Sequence, residues 1–171
     1  MGGPPAVRPE LAADTDSVRA VNELAFPSDA EARLVDRLRC GAHPVISLVA
    51  EEDGEIVGHI LFSPVTLAGG ESLQLMGLAR MAVRPDLQCR GIGTALVEAG
   101  LGACRQLGTD AVVVLGHPDY YPRFGFVPAS RFGLRCTWDV PDDVFMALEL
   151  KAGSLDNAAG RVEYHAAFND L

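Results

Sequence analysis

The stretch "VRPDLQCRGIGTALVEAG", residues 83–100, sets Gly91 and Gly93 one residue apart in front of an amphipathic helical pattern, with Gln88 just before them. A helix N-terminus presents about four unpaired backbone NH groups and roughly half a positive charge, which together suit a phosphate. Glycine removes the side chains that would hold such a group away from the amides. Three phosphate-binding spacings can be compared. The P-loop pattern GxxxxGK[ST] fails because no lysine lies near. The dinucleotide pattern GxGxxG meets Leu96 at its third glycine, and "RPDLQCR" intervenes where its glycines should follow the strand directly. The spacing QxxGxG fits at Gln88, Gly91 and Gly93. A tight turn that binds nothing is the plain alternative.

A strand, loop, helix frame has to position these residues, and the flanking sequence supplies one. "AVRPE" reads as a short first strand. "DTDSVRAVNELAF" puts Val18, Val21, Leu24 and Ala25 on one helical face, with Asp14 or Thr15 as cap. "SDAEARLVDRLRCG" repeats the pattern, with Ser28 or Asp29 as cap, Leu34, Val35 and Leu38 inward and Gly41 as a stop. Asp53-Gly54 splits "VISLVAEEDGEIVGHILFSPV" into a hairpin, Gly69-Gly70 makes a second turn, and "SLQLMGLARMAV" completes a meander that ends at Val83. In the helix after the glycines, Ile92, Leu96, Ala99, Ala103 and Leu107 face inward, and Gly108 ends it. "DAVVVLG" then reads as a strand buried on both faces, which makes a βαβ crossover, and "VFMALEL" as a late strand. The tail from residue 151 is too mixed to assign.

Composition bounds the function. The 171 residues are 49% hydrophobic and 22% charged, as in a globular chain with one sizeable core. With 14 Lys+Arg against 23 Asp+Glu, the formal charge of -9 disfavours nucleic acid and weakly favours a cationic partner. No apolar run approaches the roughly 20 residues of a membrane helix, and "MGGPPAVRPE" has no basic and then apolar signal, so no membrane partner and a cytoplasmic location are expected. Cys40, Cys89, Cys104 and Cys136 form no CxxC pair, so free thiols and no metal are expected.

QxxGxG on this frame resembles the GNAT superfamily of N-acetyltransferases, most of all its YhbS-like bacterial members. "LARMAVRPDLQCRGIGTALVEAGL" is similar to the family's strand, loop and helix, and "VVVLGHPDYYPRFGFVPA" to its next strand, tyrosine segment and GF turn. The resemblance implies one GNAT-like α/β domain over residues 1–171, with its core at about 7–150. Its mixed, mostly antiparallel sheet would be flanked by helices and splayed where acetyl-CoA enters. It also implies that the amides of Gln88, Cys89, Arg90, Gly91, Ile92, Gly93 and Thr94 bind the pyrophosphate. The backbone of Met81, Ala82 and Val83 would pair with the pantetheine arm.

The implied reaction moves an acetyl group from acetyl-CoA directly to a small-molecule or protein primary amine; the alternative is a non-catalytic acyl-CoA-binding protein. Many family members are dimers, and a homodimer is left open here. By resemblance, Tyr121 is the hydrogen-bond or proton donor to the departing thiolate, while Tyr120 and Phe124 pack. Pro122, four residues after Pro118, strains a regular helix there. His117 is either a proton acceptor or a turn residue. The family's strand glutamate has no counterpart, since Arg80 is the only charged residue in 73–83; Glu23 or Glu31, or water alone, would have to serve.

Overall fold

The computed structural model describes residues 5–26, 28–69 and 72–170. Asp53 and Gly54 both take the left-handed conformation, with φ 53° and 80°, as a tight two-residue hairpin requires. They join β2 (Ile46–Glu52) to β3 (Glu55–Leu67), and β3 pairs antiparallel in turn with β4 (Leu75–Val83). The short β1 (Ala6–Pro9) pairs with β2. The helix α3 (Ile92–Leu107) then crosses to β5 (Ala111–Leu115), which lies parallel to β4. β8 (Phe145–Glu149) is antiparallel to β5, and the two-residue β6 (Val127–Pro128) lies against β8. The path runs β1-β2-β3-β4-β5-β8-β6. The fold is therefore the expected mixed α/β one, mostly antiparallel with a parallel pair at the crossover. The unassigned tail supplies β9 (Gly160–Glu163), which pairs with the end of β3 and with β7 (Leu134–Arg135). Gly69 takes a turn conformation at φ 83°; Gly70 lies outside the described residues.

α1 (Thr15–Ala25) and α2 (Ala30–Gly41) cover one face of the sheet through Val18, Leu34, Val35 and Leu38, and α3 covers the other through Ile92, Leu96, Val97 and Leu101. Four sequence expectations change. Leu24 is 61% exposed, because the buried stripe of α1 runs through Val18, Val21 and Asn22 instead. Leu107 is 48% exposed, because the buried face of α3 turns toward Val97, Leu101 and Cys104. Asp14 stands at the N-cap position of α1, but its side chain makes no capping bond; the carboxylate accepts from Leu11 N–H instead and pairs with Arg8 at 2.7 Å. Gly41 is the last residue of α2 rather than a left-handed stop, and the chain leaves extended at Ala42. Gly108, at φ 89°, does end α3 as expected.

Asn22 is buried because it belongs to a polar chain that links three layers of the sequence. Its Nδ2 donates to Val18 O and lies 3.4 Å from His59 Nδ1 on β3. His59 Nε2 lies 2.8 Å from Ser47 Oγ on β2, and Ser47 Oγ donates to Glu10 at 2.7 Å, which Arg39 of α2 holds at 2.6 Å. Directions are consistent only if His59 is neutral with its proton on Nε2. Burial pulls its pKa from 6.5 down to about 3, with the Arg39 charge adding to the effect. The unfolded chain therefore takes up a proton near pH 6.5 that the folded chain refuses. Stability is full above 6.5 and is lost as pH falls toward 3, by up to roughly 1.4 kcal/mol per pH unit. Urea unfolding between pH 5 and 6.5, above the carboxylate range, should show this slope in the native chain and a flatter one in His59→Gln. An unchanged slope in the variant would assign the loss to other groups.

Candidate active site

β4 and β5 pair only from Leu75 with Ala111 to Leu78 with Val114. Beyond that, Leu115 stays with Phe145 of β8 and Gly116 N–H donates to Val144 O at 2.9 Å, while β4 runs on against β3 alone. A bulge marks the parting, because Phe62 faces Leu78 and Leu61 faces Arg80, which leaves Ala79 unopposed. Met81, Ala82 and Val83 thus have a strand on one side only, among the described residues. Such an edge offers backbone donors and acceptors to an extended ligand.

The loop after β4 folds back toward this edge. Gln88 Nε2 donates to Val83 O at 3.3 Å and so ties the loop to the strand it leaves. Cys89 and Gly91 are both left-handed, at φ 64° and 87°, a turn type that gathers successive NH groups on one concave side. The first bond within α3 runs from Ala95 N–H to Gly91 O at 3.0 Å, and no side chain caps the helix. The NH groups of Ile92, Gly93 and Thr94 are consequently left without an intrahelical acceptor.

The two glycines serve different needs. Gly91 is dictated by backbone conformation, and a Cβ on it would meet nothing within 4 Å. Gly93 is helical and is dictated by space: a Cβ there would lie 3.1 Å from Tyr120 Oη and 3.5 Å from Met81 Cε, in the gap between the helix start and β4. Thr94 Oγ1 shares a hydrogen bond of 3.3 Å with Tyr120 Oη at the same mouth. Arg90 is half exposed and 3.6 Å from Glu52.

Pro118 and Pro122 limit the tyrosine segment to a single 3-10 turn, Tyr121–Phe124, closed by Gly125 at φ 101°. Tyr121 lies across the end of β5. Its ring packs edge-on against Tyr120 at 5.1 Å and Phe126 at 5.7 Å. The hydroxyl has no hydrogen-bond partner among the described residues. Burial, with a smaller contribution from Tyr120, pushes its pKa up to about 12. Tyr120 carries the Arg123 guanidinium 4.3 Å above its ring. His117 is exposed, and its carbonyl accepts the N–H groups of Tyr120 and Tyr121.

On the opposite face of β4, Arg80 extends under the α1–α2 connection. Its guanidinium lies 4.8 Å from the Phe26 ring centre and 3.3 Å from Glu31 Oε1. Glu31 also accepts from Ser28 Oγ at 3.0 Å. Of the two carboxylates considered from sequence, only Glu31 comes to the bulge; Glu23 is exposed and paired with Arg19. Sequence reasoning gave Arg80 no part, although a lone charge in an apolar strand was a usable signal.

The sequence profile of the acetyltransferase (GNAT) family matches residues 15–126. The chain belongs to the GNAT family. It is 39% identical over 164 residues to the Escherichia coli K12 protein named uncharacterized N-acetyltransferase YhbS, covering 95% of this chain and 98% of that one. It is 40% identical over 134 residues to the E. coli K12 protein named uncharacterized N-acetyltransferase YjhQ, covering 76% of this chain and 74% of that one. The crystal structure of E. coli YhbS in complex with CoA superposes with a TM-score of 0.91, at 39% identity and coverage of 96% of this chain and 92% of that one. A Brucella melitensis GNAT acetyltransferase in complex with acetyl-CoA superposes with a TM-score of 0.78, at 37% identity and coverage of 96% and 97%. The fold of this GNAT chain is thus that of relatives crystallised with the thioester or its thiol.

A groove of about 710 Å³ beside α1, bordered by Leu24, Glu51, Ile56 and Arg84, includes none of the catalytic or cofactor-binding residues expected from sequence. Among the described residues, no cluster of three His, Cys, Asp or Glu could hold a metal ion, and no helix is long and apolar enough to cross a membrane.

Gly116 controls where Tyr121 sits, because a Cβ at 116 would lie 2.2 Å from Tyr121 Cε2. Gly116→Ala must therefore move the ring. Loss of stability by about 1–3 kcal/mol in urea is expected, together with a changed near-ultraviolet tyrosine circular dichroism spectrum. An unchanged spectrum and stability would mean that the ring does not pack there in solution.

Proposed function

We propose that this chain transfers the acetyl group of acetyl-CoA to a primary amine by direct attack in a ternary complex. The observation that carries the reading is a convergence: the unpaired amides at the start of α3 and the one-sided edge of β4 open into the same gap, which Gly93 keeps clear. The first suits a pyrophosphate. The second suits an amide-bearing arm that can extend the sheet. Acetyl-CoA has both groups in that order, and the CoA- and acetyl-CoA-bound relatives support the choice.

In this reading the amides of Gln88, Cys89, Arg90, Gly91, Ile92, Gly93 and Thr94 hold the pyrophosphate, and Met81, Ala82 and Val83 pair with pantetheine. The acetyl end then falls near the bulge at Ala79. A neutral amine nitrogen bonds to the carbonyl carbon, the carbon–sulfur bond breaks, and the one proton the nitrogen sheds passes through water to the departing thiolate, which leaves as CoA thiol. Tyr121 donates a hydrogen bond to that sulfur. It does not surrender its proton outright, because a phenol at about 12 facing a thiol near 8.5 makes full transfer uphill by about 5 kcal/mol.

Two measurements test the reading. Gly93→Val keeps a helical backbone and fills the gap, so calorimetry should find acetyl-CoA affinity down by at least about tenfold with the fold intact. Affinity equal to the native chain's would take the loop out of the site. With any acetylated amine, Tyr121→Phe should lower kcat by about ten- to a hundredfold while acetyl-CoA affinity holds. Because the phenol stays protonated up to about pH 12, no loss of rate traceable to it should appear as pH rises through 10. Unchanged kcat in the variant would remove Tyr121 from the chemistry and favour a protein that binds acyl-CoA without turnover.

A further inference from the structure

Arg80 occupies an unusual position for a cation. It sits on β4 directly after the bulge, where the strand loses its β5 neighbour, and its side chain is only 22% exposed. Desolvation pulls its pKa down, with Glu31 opposing. An arginine taken this far from water needs its donors answered. Here one guanidinium nitrogen meets Glu31 at 3.3 Å, the planar group lies against Phe26, and Nε is enclosed with no hydrogen-bond partner among the described residues. A salt bridge built only to fasten α2 to the sheet would leave fewer donors idle.

The surroundings are polar in the same incomplete way. Arg80 faces Leu61 across the β3–β4 pair, and Ser63, two residues further along β3, faces Gly77. Paired residues share a face, so Ser63 lies on Arg80's side of the sheet. Tyr164 covers Gly77 on that side, where a Cβ would come 3.2 Å from its ring. Ser63 Oγ and Tyr164 Oη are both buried, and neither has a hydrogen-bond partner among the described residues. Arg80 and Ser63 thus leave unanswered polar atoms on the α1–α2 side of β4, and the ring of Tyr164, which carries a third, packs on the same side.

We propose that Arg80 binds the carboxylate of the acceptor, so that the substrates of this enzyme are amines that also carry a carboxylate, as amino acids do. The inference rests on the acetyl-transfer reading, which puts the acetyl end at the bulge. The guanidinium fork offers a carboxylate two parallel donors, and Glu31, at its side, faces the ammonium group of the same molecule. The pair of opposite charges is complementary to a zwitterion. This refines the expectation from net charge: the acidic surface favours cations at a distance, whereas the site itself selects for an anion attached to the amine.

The test screens the native chain with the common amino acids and their carboxamides, following free-thiol release, with acetyl-CoA binding measured by calorimetry on the same samples. At least one amino acid should be acetylated with kcat/KM at least about tenfold above its carboxamide. In Arg80→Gln and Arg80→Lys, KM for that amino acid should rise by about ten- to a hundredfold, while acetyl-CoA affinity and KM for the carboxamide change little. Equal use of acid and carboxamide would overturn the proposal, as would a parallel rise in both KM values, which marks a structural latch. Absence of turnover with every amino acid, in protein that binds acetyl-CoA, would overturn it as well. Absence of acetyl-CoA binding would instead strike the acetyl-transfer reading beneath it.

Discussion

The architecture turns on a mismatch in length between two neighbouring strands. β4 continues to Val83, but β5 keeps beside it only as far as Val114, because Leu115 and Gly116 follow β8 and its approach instead. Backbone groups cannot be left dry and unpaired without a large loss of stability. The sheet therefore has either to end at this point or to keep a slot that water or another molecule fills. Everything that identifies the cleft borders this slot: the bulge at Ala79 that begins it, the Gln88 side chain that folds the loop back over it, and the mouth of α3 that caps its far end.

Most of that arrangement was legible in the sequence because it depends on local rules. Asp53-Gly54 can make few turns other than a tight hairpin, and the continuously apolar residues 111–115 suit a strand covered on both faces. The Gln88, Gly91 and Gly93 spacing distinguished the loop from two rival phosphate motifs. What could not be read was whatever depends on contacts between distant segments. Leu24 obeys helical periodicity yet stands in water, because Asn22 takes the inward place for the sake of His59. β9 has no clear strand pattern, and it forms because β3 outruns β4 and presents Thr66 and Leu67 to it.

The candidate site divides along the same line. Its cofactor half is built from one continuous stretch, residues 75–94, and its motif survives in isolation. The acceptor half proposed above would draw on β4, the α1–α2 connection and the tail, through Arg80, Phe26, Glu31 and Tyr164, which no single window of sequence brings together. Prolines shape the tyrosine segment in turn. Pro118 and Pro122 convert what would be a helix into one tight turn, and that turn, with the space left by Gly116, is what lays Tyr121 across the strand end.

The chain of groups from Asn22 through His59 and Ser47 to Glu10 and Arg39 has a consequence for how this sequence can drift. Each member answers the one before it, and His59 itself has no exposed surface. Exchange of His59 for an apolar residue would leave the Ser47 hydroxyl and the Asn22 amide each short of one partner, whereas exchange of the whole set for apolar residues of similar volume could leave the core intact. These five positions should therefore vary together or not at all among descendants of this chain. Covariation would thus mark a packing agreement between α1, α2 and the sheet.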